Sequence, residues 1–238
     1  MNILLTGASA PFASILSNAL QQKHELRLTD TIQVETDREY VVSELNHDEA
    51  TDRLVKDVDV LICLPYSRRT KDHETNWIDL NTRRQYNLLS AAATANVSQV
   101  IIVSTLDLMA SYDKDMTVTE DWKPLPSTDP DVLGAHLTEF VAKEFAHSNT
   151  LNVTIFRLGH LVREQEARGE EYDPMWLEES DAAKAISLLT NQKFSPIPPE
   201  IPYRVLHLQS VSKFSRFSSQ RTCSLLNFVP HHTFEKQQ

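Results

Sequence analysis

The run Thr6-Gly7-Ala8-Ser9-Ala10-Pro11-Phe12-Ala13 joins a short apolar stretch, Ile3-Leu4-Leu5, to a helical pattern. A small-residue turn in that setting lets backbone approach a phosphate, which then rests on the free N–H groups at the helix N-terminus. Of the glycines in a G-x-x-G-x-x-G turn only Gly7 is present, and Pro11 brings no N–H. Asp30 ends the next apolar run, some 20 residues further on; an acid there accepts hydrogen bonds from an adenosine ribose and repels a 2′-phosphate, which favours NAD over NADP. The loop PYSRRTKDH is basic within an acidic chain: Arg68 and Arg69, beside Tyr66, have the fork geometry that receives a phosphate or carboxylate, although a solvated loop paired with Asp72 and Glu74 is the commoner arrangement. Thr105 offers a hydroxyl at the end of QVIIVST, and His136 titrates near neutral pH. His231 and His232 are adjacent and lack a third ligand at metal spacing, so no metal site is expected.

These groups are useful only if the fold brings them to one edge. ILLTG, ELRLTD (25–30), REYVVSEL (38–45), VDVLICLP (58–65), QVIIVST (99–105) and NVTIFRLG (152–159) read as strands. Helical patterns lie between them at 12–23, 48–57, 74–96 and 131–147. The apolar run at 58–65 has no polar alternation, as expected of a strand covered on both faces. Alternation of this kind predicts an α/β chain with a doubly wound parallel sheet of Rossmann type. The expected division is a dinucleotide-binding domain over 1–160 and a small C-terminal substrate lobe over 161–238. Parts of that lobe, a helical patch at 180–190 and a strand near 203–208, could rejoin the sheet.

At 238 residues and 41% hydrophobic, the chain can bury one large core. A formal net charge of −10 argues against nucleic-acid binding. The opening apolar run is too short, and too far from any basic residue, for a secretion signal, and no stretch has the length of a membrane span. Cys63 and Cys223 are the only cysteines, which fits a reducing cytoplasm. A small-molecule ligand is expected, an anion among the candidates, with no nucleic acid or membrane partner and with a homodimer as a candidate assembly.

Several segments, in order, resemble the NAD-dependent epimerase/dehydratase family, the extended short-chain dehydrogenase/reductases. TGASAPFA stands where that family has TGGAGFIG, SEL (43–45) where it has D-L, and VDVLICLP where it has VDVVIHLAA. WIDLNTRRQYNLLSAAATANVSQVIIVST resembles N-V-x-G-T-x-N-L-L-E-A and its following strand, with Asn81 on the family Asn. VTEDWKPLP, FRLGHLV, LEESDAAKAI and LLNFVPHHTFE resemble later family segments. The resemblance implies that Gly7, Ser9, Ala10, Pro11, Phe12, Asp30, Glu44, Leu45, Leu64, Pro65, Asn81 and Thr105 surround NAD.

The family's chemistry uses a Tyr-x-x-x-Lys pair together with a Ser or Thr. STLDLMA places Thr105 on the family hydroxyl, whereas the pair aligns with Leu133 and Leu137. A site without both would lose acid–base catalysis worth about 10²–10⁴ in rate. The expectation is an NAD(P)-binding relative with the usual dyad lost, a pseudoenzyme. The alternatives are a divergent oxidoreductase, epimerase or dehydratase with a replacement acid/base (His136, Tyr66 or Tyr112), and a non-catalytic sensor or interaction protein.

Overall fold

The computed structural model describes residues 1–66, 77–193 and 202–234. Seven parallel strands form the main sheet in the order β3-β2-β1-β4-β5-β6-β9. They are β1 (Asn2–Thr6), β2 (Glu25–Asp30), β3 (Glu39–Val42), β4 (Val60–Cys63), β5 (Gln99–Thr105), β6 (Val153–Leu158) and β9 (Tyr203–Leu208). The doubly wound parallel sheet read from the sequence is therefore present. β4 and β6 are buried at every position and β5 at all but its last; β4 accordingly reads as a continuous apolar run, whereas β5 and β6 also bury Gln99, Ser104, Thr154 and Arg157.

One face is covered by α1 (Pro11–Leu20) and α7 (Glu179–Thr190), which pack on each other around Phe12, Leu16, Leu20, Ile186 and Leu189. The other face is covered by α2 (Glu49–Leu54), α4 (Gln85–Thr94) and α5 (Pro130–His147) around Leu61, Leu88, Ile102 and Ile155. α4 is entered through a single turn, α3 (Trp77–Asp79), and a π-helical segment, Leu80–Arg84. A 3-10 turn, Leu106–Met109, follows β5, and with Val118 and Phe217 it forms a third apolar cluster beneath the stretch leading to α5. Two three-residue strands, β7 (His160–Val162) and β8 (Trp176–Glu178), pair beside the site with α6 (Glu164–Ala167) between them. α8 (Gln220–Leu226) closes the chain against β9.

Two features hold α5 in register. Asp129 caps it, its side chain accepting from the Asp131 and Val132 amides at 2.9 and 3.3 Å. Deeper, the Arg157 guanidinium on β6 forks onto Glu139 at 2.9 and 2.7 Å, and Ser104 Oγ on β5 donates to the same carboxylate at 2.6 Å. All three residues are buried. No helix among the described residues is long and apolar enough to cross a membrane.

The third strand is shorter than the 38–45 read from sequence. The Ser43 amide still bonds the Asp30 carbonyl, but Leu45 then turns to φ 50° and leaves the sheet. The helix expected over 74–96 is interrupted by the π segment, and its first three residues lie outside the described ones. β9 pairs with β6 in the main sheet, and α7 packs against α1 on one of its faces.

Candidate functional site

The chain crosses from β3, on one side of β1, to β4 on the other. In a doubly wound sheet the crevice above the carboxyl ends at that switch is where ligands bind. A cavity of about 510 Å³ lies there, over β4, β5 and β6. A second, of about 400 Å³, lies on the β2 side, lined by Ser9, Ser14, Ser17, Gln33, Thr36 and Arg38 among others. Ala10 and Pro11 line both, so the two adjoin at the start of α1.

The turn between them is committed to its own structure. Gly7 has φ 70°, and a Cβ there would stand 2.7 Å from the Leu64 carbonyl oxygen. The Ala8 amide donates to the Thr29 carbonyl, Ser9 to Asp30 Oδ2 and Ala10 to the Gly7 carbonyl, at 3.2, 2.9 and 2.9 Å. Ala13 donates to the Ala10 carbonyl at 2.9 Å and Pro11 has no N–H, which leaves Phe12 as the amide at the helix N-terminus available to an anion. Asp30 is buried, and its other oxygen accepts from the Thr31 amide at 2.6 Å.

In the larger cavity the wall above β5 and β6 carries a chain of polar groups. Thr105 Oγ1 donates to Asp107 Oδ2 at 2.8 Å, and Asp107 Oδ1 lies 2.8 Å from His160 Nε2. His160 Nδ1 bonds Asp173 on its other side. The hydrogen bond that the ring donates to Asp107, with further help from Asp173, outweighs burial and raises the His160 pKa to about 9. Burial alone would raise Asp107, but the bonds from His160 and Thr105 hold it below the ordinary carboxylate value. Gly159 places this histidine: a Cβ on it would stand 2.1 Å from the Met175 carbonyl oxygen, which also accepts from the His160 amide at 2.9 Å.

The opposite wall is α5 and the π segment. Asn81 Oδ1 accepts from Thr138 Oγ1 at 2.9 Å, while its Nδ2 donates to the Trp77 carbonyl, also at 2.9 Å. Trp77 Nε1 donates to the Pro130 carbonyl at 2.7 Å, tying α3 to the start of α5. α5 presents Asp131, Val132, Ala135 and Thr138 to the cavity. Tyr66 also lines the cavity, and its hydroxyl is buried close to that of Thr6, neither making a well-aligned hydrogen bond among the described residues. Burial, with Cys63 and Asp30 nearby, pushes the Tyr66 pKa far above the ordinary value; burial likewise raises the Cys63 thiol to about 11.

The profile of the NAD dependent epimerase/dehydratase family matches residues 3–193. The chain belongs to this family. No curated protein matches it. Among solved structures, one titled a mutated uronate dehydrogenase is 22% identical, with a TM-score of 0.76 over 98% of this chain and 82% of that one. A short-chain dehydrogenase/reductase superfamily protein from Agrobacterium tumefaciens, solved with NAD bound, is 17% identical, with a TM-score of 0.78 over 98% and 93% of the two chains. UDP-N-acetylglucosamine 4-epimerase from Bacillus cereus is 17% identical, at a TM-score of 0.76 over 98% and 94%. At these identities the likeness is one of fold.

Against the family pattern, the residues singled out from sequence fall into groups. Ala10, Pro11, Phe12, Leu64, Pro65, Tyr66, Asn81 and Thr105 line the larger cavity, and Ser9 the smaller one. Gly7 and Asp30 stand behind the turn and shape it. Glu44 and Leu45 line neither cavity: Glu44 pairs with Arg84, and Leu45 is buried, its carbonyl accepting from Asn87 Nδ2 at 2.9 Å. His136 does not line the cavity, nor do Leu133 and Leu137. Each of those two leucines is two residues from cavity-facing Ala135, hence roughly opposite it on a 3.6-residue helix. Tyr112 Oη donates to the Lys123 carbonyl at 2.8 Å, and its ring packs edge-on against Trp122. Arg68 and Arg69 lie outside the described residues. Among the described residues no group of three or more His, Cys, Asp or Glu is placed to hold a metal.

His160, Asp107 and Asp173 were not legible as a site from sequence, because 53 and 13 residues separate the histidine from its partners. The available signal was position: His160 directly follows the glycine after a buried parallel strand, at the carboxyl edge where ligands bind.

Proposed function

We propose that this protein binds NAD along the carboxyl edge of its sheet, receives a small molecule in the 510 Å³ cavity, and has lost the family's Tyr/Lys proton pair. The observation that carries the proposal is the pair of cavities adjoining at Ala10–Pro11, with no Tyr or Lys among the α5 residues that face the larger one. A dinucleotide needs room on both sides of the α1 N-terminus, and the cavities supply it. The Phe12 amide would receive the pyrophosphate. When bound, NAD supplies hydride chemistry. Thr105 and Asn81 line the cavity on which the nicotinamide side would lie. Asp30, buried behind the turn, would set a negative charge near a 2′-phosphate and so favours NAD over NADP.

The short-chain relative solved with NAD and the 4-epimerase support the cofactor and a small substrate. Anion binding by Arg68 and Arg69 rests on sequence alone. The missing pair also supports a second proposal, a non-catalytic sensor or interaction protein on this fold. A homodimer is proposed from the exposed Ile78, Tyr86 and Phe140 on α3, α4 and α5. The cytoplasm is proposed from the two unpaired cysteines.

Differential scanning fluorimetry with NAD, NADH, NADP and NADPH tests the central proposal. A ligand at about 100 times its Kd stabilises by about 2.7 kcal/mol, a readily visible shift in Tm. No shift with any of the four would overturn it.

A further inference from the structure

Tyr66, Tyr112 and His136 can be set aside as proton-exchanging groups in the cavity. The Tyr66 hydroxyl is buried, Tyr112 is bonded to the Lys123 carbonyl, and His136 does not face the space. His160 does face it, beside Thr105 and Asp107. Its ring is held by a carboxylate at each nitrogen, Asp107 from the turn after β5 and Asp173 from the segment before β8. A ring so held carries a proton on both nitrogens. Its side chain is still 42% exposed, so a ligand can reach it. Among the described residues, the other charged groups on the cavity wall are Asp131 of α5 and Glu179 of α7, the latter bonded by Arg163 Nε at 2.8 Å. The close crossing of Gly159 and Met175 fixes Asp173 against His160, and the Thr105 bond fixes Asp107, so the ring cannot turn freely.

We infer that His160 is the proton source of this cavity, its Nε2 proton passing by way of Asp107 and the Thr105 hydroxyl to a carbonyl oxygen that a ligand places beside Thr105, with Asp173 keeping Nδ1 protonated. This rests on the proposal that the cavity lies beside bound NAD. In the step, the Nε2–H bond breaks and an O–H bond forms. The carbonyl carbon is reduced by hydride from NADH, the reductant, and the neutral imidazole regains its proton from solvent. Asp107 takes the Nε2 proton and gives one to Thr105 Oγ1, whose own hydroxyl proton goes to the carbonyl oxygen. A neutral imidazole would be the matching base for alcohol oxidation. The raised pKa of His160 keeps the proton in place on the ring at neutral pH.

The test uses the full-length protein in two measurements. In the first, histidine 13Cε1 signals are followed by NMR without cofactor, with His160 assigned by the signal lost in His160→Gln. That signal is expected to titrate at about 9 and to move to lower pH in Asp173→Asn. A signal titrating at the ordinary histidine value overturns the inference. In the second, NADH consumption is followed with glyceraldehyde, benzaldehyde and cyclohexanone as probes. The parent is expected to consume NADH with at least one probe, at a rate that falls as pH rises through about 9. His160→Gln should lose about 10²–10⁴ of that rate while NADH still raises its Tm. Asp173→Asn should keep the low-pH rate and bring the fall to lower pH, which a purely structural role would not do. NADH binding with no consumption of any probe overturns the inference, as does a His160→Gln rate close to the parent's. Absence of any NADH-induced shift in Tm instead overturns the cofactor proposal on which this one stands.

Discussion

The Ser9 amide donates to Asp30 Oδ2 across 2.9 Å, so the acid that ends β2 holds the turn that follows β1. The carboxylate proposed to select the cofactor is thus also a strut of the site. Asp30→Ala should lower stability by about 1–3 kcal/mol, the cost of leaving a buried donor unpaired. It should also weaken NAD binding. Urea denaturation and isothermal titration would check the two effects. For the parent, tighter binding of NADPH than NADH would refute the assigned preference.

Gly7 carries a different constraint. Its φ of 70° costs an L-residue about 1–2 kcal/mol, and a Cβ there would press on the Leu64 carbonyl at 2.7 Å. Gly7→Ala should therefore cost more than the dihedral cost alone. The backbone shift needed to relieve the contact would move the β4 end of the cavity. The measurement is the urea midpoint, with NAD-induced stabilisation as the second readout. A neutral outcome in both would show that the turn tolerates a side chain.

The Arg157–Glu139 pair beneath the site should be costly to halve. Both side chains are at most 5% exposed, and removing one leaves a buried charge without its partner. Arg157→Met should cost about 3–5 kcal/mol. Because Glu139 belongs to the cavity-forming helix, ligand binding should weaken with it. A loss below about 1 kcal/mol would mean that the pair contributes little net stability.

The sheet was largely legible in the sequence and the site only in part. Strands such as Val60–Cys63 and Val153–Leu158 announce themselves, because burial on both faces admits only apolar or paired side chains. The turn at Gly7 was legible because a left-handed residue after a buried strand leaves a glycine behind. The π segment at Leu80–Arg84 left no mark, since its residues would equally well continue an α-helix. β7 and β8 have three residues each, too few to show a period. The His160 cluster depends on Asp107 and Asp173 arriving from separate segments, and no local pattern encodes that meeting.

Histidine titration gives opposite signs at two places. Burial, with Arg157 and Arg221 nearby, lowers the His207 pKa to about 3, so this ring folds neutral. Between the ordinary value of about 6.5 and pH 3 the unfolded chain binds the extra proton, and stability falls as pH falls. The contribution of His207 is complete above pH 6.5. His160 is raised to about 9, so its contribution is complete below 6.5 and is lost as pH rises through 9. Urea midpoints at pH 4.5, 7 and 9.5 should therefore peak near neutrality. His207→Asn should flatten the acid side and His160→Gln the alkaline side. The cluster account fails if the alkaline slope survives in His160→Gln.

The position of Leu133 and Leu137 on α5 decides where a Tyr/Lys pair could act on the cavity. Both lie away from the cavity, which α5 meets through Asp131, Val132, Ala135 and Thr138. A phenol and an ammonium introduced by Leu133→Tyr with Leu137→Lys would sit on the outer side of the helix and leave the cavity as it is. Asp131→Tyr with Ala135→Lys has the same four-residue spacing on the inner side, and Asp129 remains to cap the helix. At position 134 a side chain has no room, because a Cβ there would be 2.8 Å from Trp77 Nε1. In the inner pair the lysine stands one turn from the phenol and favours the phenolate, so the introduced tyrosine should ionise below its ordinary value. Absorbance near 295 nm would follow that titration, while NADH-induced stabilisation and carbonyl-dependent NADH consumption report on the cleft. The inner pair is expected to increase both and the outer pair neither. A gain confined to the outer pair would mean that α5 turns its Leu133 face to the ligand.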